Sequence, residues 1–171
     1  MTAARPSIEI FLQPGEYYVG DESCRIRTLL GSCVSITLWH PGRRIGAMSH
    51  CLLATRGGST YAELDARYVD EALALMFRDL ARRNIVPQQC QAKLFGGGNM
   101  FPEQNSRPGA LDVGQQNGRA ARELMREHNI AVVSESLFGI GHRSIVFDIA
   151  TGDVWARSGP KGVSGGPETS G

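Results

Sequence analysis

One cysteine and one histidine in this chain have the setting for covalent chemistry. Thr28-Leu29-Leu30-Gly31-Ser32-Cys33 delivers a thiol to the start of an apolar stretch, Val34 to Trp39. A turn at His40-Pro41-Gly42-Arg43 follows, and then Gly46-Ala47-Met48-Ser49-His50. If the two stretches pair across that turn, Cys33 and His50 come from neighbouring parts of one sheet. A thiol beside an imidazole is a nucleophile beside its base, and acyl transfer is the chemistry such a pair performs. Taken bare, a cysteine on an apolar strand is more often inert filler, which is the reading for Cys51 and Cys90. Cys33 differs because Gly31 frees the backbone and small neighbours keep the sulfur approachable. A thiolate nucleophile needs its pKa drawn down from about 8.5 by a cationic imidazole or a helix end. His50 is the best placed of the four histidines, since His40 belongs to the turn, His128 to a helix terminus and His142 to a glycine-rich loop.

The elements that must position this pair follow from hydrophobic period. Short strands are expected over Ser7 to Leu12, Glu16 to Val19 and Ile26 to Leu30, with Pro14-Gly15 as a turn. Cys33 to Trp39 alternates apolar Val34, Ile36 and Leu38 with Ser35, Thr37 and Trp39, a strand with one apolar face. Ile45 to Leu53 is apolar nearly throughout, which predicts a central strand covered on both faces, with His50 in its middle and buried. Thr55 to Thr60 reads as a polar loop. From Ala62 to Arg83 the period changes, and Val69, Leu73, Met76 and Leu80 line one face of a helix that Ile85-Val86-Pro87 stops. Gln91 to Phe95 is a strand running into Gly96-Gly97-Gly98-Asn99. No Walker lysine follows those glycines, so they predict a tight bend with close backbones, not a phosphate cradle.

Pro102 to Pro108 reads as a loop. A second helix runs from a cap at Asp112 to Glu127, with Val113, Asn117, Ala120, Leu124 and Met125 on one stripe. Ile130 to Val133 is a strand, Leu137 to Gly141 a loop, and Ser144 to Arg157 a hairpin turned at Thr151-Gly152. Hairpins outweigh strict strand–helix alternation, which favours α+β with a largely antiparallel sheet. Residues 1–157 form one domain, and the Gly/Ser/Pro-rich stretch 158–171 is expected to be a disordered tail.

Composition bounds the function. In 171 residues, 42% are hydrophobic and 20% charged, with a net charge of +1. That balance implies a globular domain and no broad field for nucleic acid. No apolar run reaches the roughly 18 residues of a membrane span, and Pro14 cuts short any signal-peptide core. The four cysteines lack CxxC spacing and are read as reduced thiols in a cytoplasm, Cys33 and Cys51 unbridged. No metal or cofactor site is expected.

With those residues laid out, the chain resembles the CheD family of chemoreceptor glutamine deamidases. The likeness is carried by Pro14-Gly15-Glu16-Tyr17, Leu30-Gly31-Ser32-Cys33-Val34, Ile45-Gly46-Ala47-Met48-Ser49-His50, Ala66-Arg67-Tyr68, Ala92 to Met100, Val113-Gly114-Gln115-Gln116-Asn117 and Gly141-His142-Arg143. The resemblance implies Cys33 as nucleophile and His50 as base. It also implies a hydroxyl residue shortly upstream as third member, with Thr28 the nearest candidate and Arg27 one residue earlier. The N–H groups of Cys33 and Ser32 would hold the oxyanion. Ser136-Leu137-Phe138-Gly139 departs from the family's commoner pattern of an acidic residue and paired glycines.

The implied fold is a layered α/β sandwich similar to the cysteine deamidase toxins. The implied activity is hydrolysis of glutamine side chains to glutamate on methyl-accepting chemotaxis receptors (a protein-glutamine glutaminase), with the CheC phosphatase a partner in some species. The competing reading is a non-catalytic adaptor that docks on receptors or on that phosphatase. A thiol with a depressed pKa would favour the enzyme, and an ordinary one the adaptor. A thiol hydrolase of small amides or esters ranks third.

Overall fold

The computed structural model describes residues 7–57, 63–109, 112–159 and 168–170. Its strands are β1 (Ile8–Phe11), β2 (Tyr17–Gly20), β3 (Cys24–Leu30), β4 (Val34–His40), β5 (Ile45–Ser49), β6 (Gln91–Gly96), β7 (Ala131–Leu137), β8 (Arg143–Asp148), β9 (Val154–Ser158) and β10 (Glu168–Ser170). The α-helices are α1 (Val69–Ala81), α2 (Pro102–Asn105) and α3 (Val113–Glu127).

The strands form two sheets, where the hairpin pattern suggested one. The first runs β1-β3-β8-β9-β10 and the second β2-β5-β4-β6-β7. Only β1–β3 and β6–β7 are parallel among these neighbours, so the architecture is α+β and largely antiparallel as expected. Side-chain alternation in the second sheet builds three layers. Val34, Ile36, Leu38, Ala92 and Leu94 pack with residues of α1 and α3. The opposite face contributes Met48, Phe95, Trp39 and Cys33 to a second core shared with Ile26, Leu30 and Phe147 of the first sheet. β5 is buried at every position, as its unbroken apolar run requires.

Phe147 is fully buried between the sheets, and Gly46 leaves it room: a Cβ there would stand 2.7 Å from the ring. Phe147→Ala should therefore cost about 3–5 kcal/mol, read as a fall in the urea midpoint.

Several boundaries differ from the expectation. His50 lies just past the end of β5, not in its middle. Helix α1 starts at Val69 because the chain before it is held in pairing: the N–H groups of Leu52 and Leu53 donate to the Arg67 carbonyl, and Val69 N–H donates to Leu53. The residue expected to open that helix, Ala62, falls outside the described residues, as do 58–60 of the expected loop. Pro102 supplies the first turn of α2 inside the expected loop. In the expected tail, Glu168–Ser170 pair with the edge of β9, while 160–167 and 171 lie outside the description. In α3 the buried stripe is Gly114, Asn117, Gly118, Ala121 and Met125, rotated from the expected one. Two glycines on that face carry no hydropathy signal. Asp112 caps the helix as read, accepting from Gln115 N–H at 3.1 Å.

Candidate active site

Cys33 is the last of the three residues, Gly31-Ser32-Cys33, between Leu30 at the end of β3 and Val34 at the start of β4. All three carbonyls of Gly31-Ser32-Cys33 are held. Gly97 N–H donates to Cys33 O at 2.8 Å and Gly98 N–H to Gly31 O at 2.9 Å, while Asn117 Nδ2 donates to Ser32 O at 2.9 Å. Gly96 must be glycine, for its φ is +103° and a Cβ would strike the Cys33 carbonyl oxygen. The glycine run is thus the tight bend expected, and its work is to fix the cysteine loop.

With the carbonyls engaged, the N–H groups of Ser32 and Cys33 are left without an acceptor among the described residues, save that the Cys33 N–H lies by its own sulfur. That is the arrangement an oxyanion donor pair requires.

Val34 and Cys51 exchange both backbone hydrogen bonds, at 3.0 and 2.9 Å. Counting from that bridge and from Thr37 opposite Met48, His50 stands across from Ser35 and Cys33 across from Leu52. Cys33 and His50 are therefore diagonal neighbours on the face turned toward the first sheet. Cys51 points to the opposite face, into the helix-side core, and all four cysteines are free thiols.

Thr28 reaches the same layer from β3. Its Oγ1 lies 2.6 Å from His50 Nδ1 and donates to the Leu12 carbonyl at 2.8 Å. A hydroxyl has one proton, and a carbonyl only accepts, so the proton in the Thr28–His50 contact belongs to Nδ1. His50 is consequently the Nδ1–H tautomer with Nε2 bare, the form a general base needs. Arg27, the alternative position, faces outward and binds Glu9 at 2.8 Å.

Thr28 and His50 are each 2% exposed. Cys33 is half-buried, and no hydrogen bond joins it to His50 among the described residues. Burial pushes the Cys33 thiol up from its ordinary value, opposed by its own N–H. Burial pushes the His50 imidazole down, offset in part by the Leu12 carbonyl and the Glu16 charge. The thiol is therefore not depressed by a cationic neighbour in this arrangement. Both shifts favour the neutral forms of the two groups. Cys51, deep in the core, is pushed up to about 12, consistent with inert filler.

The other histidines stand elsewhere: His40 accepts from Arg43 N–H in the turn, and His128 meets Phe77 edge-on. Sequence reasoning missed the Leu12 carbonyl and the amide of Asn117, because a main-chain acceptor has no residue-type signature and Asn117 read as one member of an amphipathic stripe. It also missed Ser35, wholly buried opposite His50, whose hydroxyl is unpartnered among the described residues.

A cleft of about 130 Å³ adjoins the loop, lined by Ser32, Gly98, Met100, Phe101, Asn105 and Gly114 among others but by neither Cys33 nor His50. It falls below the roughly 300–1,000 Å³ of small-molecule sites and suits one protruding side chain. A larger groove of about 1070 Å³ is lined by Leu12, Glu16, Tyr17, Arg56, Asp65 and Arg78 among others, and neither Cys33 nor His50 lines it.

A thiol and a tautomer-fixed imidazole on one buried sheet face, beside free main-chain donors, are the parts that a thiol acyl-transfer site on an α+β scaffold would need. Comparison with known proteins makes the assignment specific. Residues 52–158 match the family model described as CheD chemotactic sensory transduction. The chain is 64% identical to a probable chemoreceptor glutamine deamidase of Albidiferax ferrireducens over 158 residues, covering 92% of this chain and 91% of that one. A protein of the same name from Dechloromonas aromatica is 44% identical, with 91% of both chains covered, and one from Pseudomonas savastanoi is 43% identical over 89% of this chain and 85% of that one. The chain belongs to the CheD family. The family-model match begins after His50, but an alignment spanning 92% of the chain cannot miss residues 33–50.

Proposed function

We propose that this chain deamidates glutamine side chains on methyl-accepting chemotaxis receptors, in the cytoplasm, through a thioester on Cys33. The contact of Thr28 with His50 carries the reading, because it leaves Nε2 bare on the face that Cys33 shares. As Cys33 Sγ attacks the glutamine Cδ, the thiol proton passes to His50 Nε2 and the carbonyl oxygen becomes an oxyanion held by the Ser32 and Cys33 N–H groups. The imidazolium then protonates the departing nitrogen, which leaves as ammonia with both electrons of the C–N bond. Water gives a proton to Nε2 and attacks the thioester, releasing glutamate and returning the proton to sulfur. Thr28 keeps Nε2 aimed throughout by holding Nδ1. The small cleft beside Ser32 suits the stem of a side chain projecting from a receptor helix. Docking of a CheC-type phosphatase on the same protein is part of this proposal and rests on the family alone.

Incubation with a receptor fragment tests it: mass spectrometry should show glutamine converted to glutamate with matching ammonia, and an unmodified fragment would overturn it.

The raised Cys33 thiol favours a second reading, a non-catalytic receptor-binding module. Retention of the fragment without ammonia release would select that reading.

The two shifts set a pH dependence. His50, lowered from 6.5, keeps Nε2 bare at and somewhat below that pH, and Cys33, raised above 9.0, keeps its proton to higher pH. The rate should therefore hold a plateau from about pH 6.5 to 9 and fall on the acid side only below it. Stability follows the same group. The unfolded imidazole takes a proton below about 6.5 while the folded one resists, so stability present above that pH is lost as the pH falls through the lowered folded value. Rates and melting temperatures across this range check both limbs.

A further inference from the structure

The β4–β5 ladder runs to Thr37–Met48, and beyond it a last isolated bridge joins Val34 to Cys51, one residue short of the cysteine. Continuing the ladder would pair Ser32 with Leu53. Instead the Leu53 N–H donates to Arg67 and its carbonyl accepts from Val69, so the two strands part just where Cys33 and its cross-strand neighbour Leu52 begin. The side chain of Asn117 fills that gap. Its Nδ2 donates to Ser32 O and to Leu52 O, each at 2.9 Å, from a residue 1% exposed.

Helix α3 comes close enough for so short a side chain because Gly114 and Gly118 flank the asparagine on the buried face. A Cβ at Gly114 would lie 2.7 Å from the Gly97 carbonyl carbon, and one at Gly118 would strike the Phe138 ring. One amide hydrogen thus takes the Ser32 carbonyl that a continued ladder would have paired with Leu53, and the other ties the same side chain to the Leu52 carbonyl.

We infer that Asn117 is a positioning residue: its amide spans Ser32 O and Leu52 O and thereby sets the separation of the Cys33 sulfur from the His50 imidazole. One carbonyl is the residue before the nucleophile, and the other lies two residues after the base. The inference rests on the proposed deamidase reading only for its kinetic arm. Leucine keeps the volume and removes both donors. Aspartate is isosteric, but its carboxylate faces two carbonyl oxygens, and only its protonated form returns one donor.

The test compares Asn117→Leu and Asn117→Asp with wild type in two assays, ammonia release from a receptor fragment and Cys33 alkylation by iodoacetamide across pH. For Asn117→Leu, kcat should fall about 10–100-fold with KM within about twofold, as expected when reacting groups lose alignment. Alkylation should lose any limb that tracks His50 and keep a single thiol titration. In Asn117→Asp, kcat relative to wild type should rise as the pH is lowered. Folded variants with wild-type kcat and alkylation profile would overturn the inference. So would failure of both to fold at 25 °C, which would make Asn117 a residue of the fold alone. Wild type that alkylates with a His50 limb but releases no ammonia would count against the deamidase reading while leaving the positioning role to the alkylation arm.

Discussion

Cys33→Ala should abolish ammonia release from a receptor fragment, a loss of at least about 10⁴-fold, while the melting temperature should stay close to that of wild type. The size follows from the chemistry: without the sulfur there is no thioester, and direct attack of water on an amide must cross the barrier that the covalent step divides. The small effect on the fold follows from the site. Cys33 is half-buried at the edge of the inter-sheet core, and its loop is held by carbonyls that alanine retains. Cys51→Ala is the contrasting control, since that thiol is wholly buried on the helix side and should affect stability instead of rate. Ammonia assays and thermal melts of the two variants separate the roles.

The second large effect is at His50. His50→Gln removes the group that takes the thiol proton and returns it to the leaving nitrogen, and kcat should drop about 10³–10⁴-fold. Thr28→Val tests the support of that base in the same assay. Valine leaves the ring in place but frees Nδ1, so the tautomer with a bare Nε2 is no longer imposed, and about 10²-fold should be lost. It also strips the Leu12 carbonyl of its hydroxyl donor, which should cost about 1–3 kcal/mol of stability. An unchanged rate in Thr28→Val would mean that the 2.6 Å contact holds the fold and nothing else.

Much of this arrangement was legible in the residues. The apolar run from Ile45 announced a strand buried on both faces, and β5 is that strand. The alternation of β4 placed Cys33 and Val34 on opposite faces, which is what separates the site from the helix-side core. What escaped reading had physical causes. Splitting into two sheets depends on β3 pairing with β8, residues more than a hundred positions apart, and no local pattern reports such a partner. The inner face of α3 was misjudged because Gly114 and Gly118 act by what they lack, and a hydropathy stripe passes over them. Thr28 was the nearest candidate in sequence with Arg27 one residue earlier, and the strand's alternation turns Thr28 inward and Arg27 toward Glu9. The state of the thiol was left open in the residues, because it turns on desolvation: both groups are buried and no hydrogen bond joins them, so burial prevails.

The most direct measurement is of the covalent step itself. Wild type mixed with receptor fragment, quenched in acid during turnover and digested, should yield a Cys33-bearing peptide carrying the substrate acyl group as a thioester, and the Cys33→Ala protein should yield none. Turnover with no adduct on Cys33, or with the acyl group found on another residue, would contradict the account.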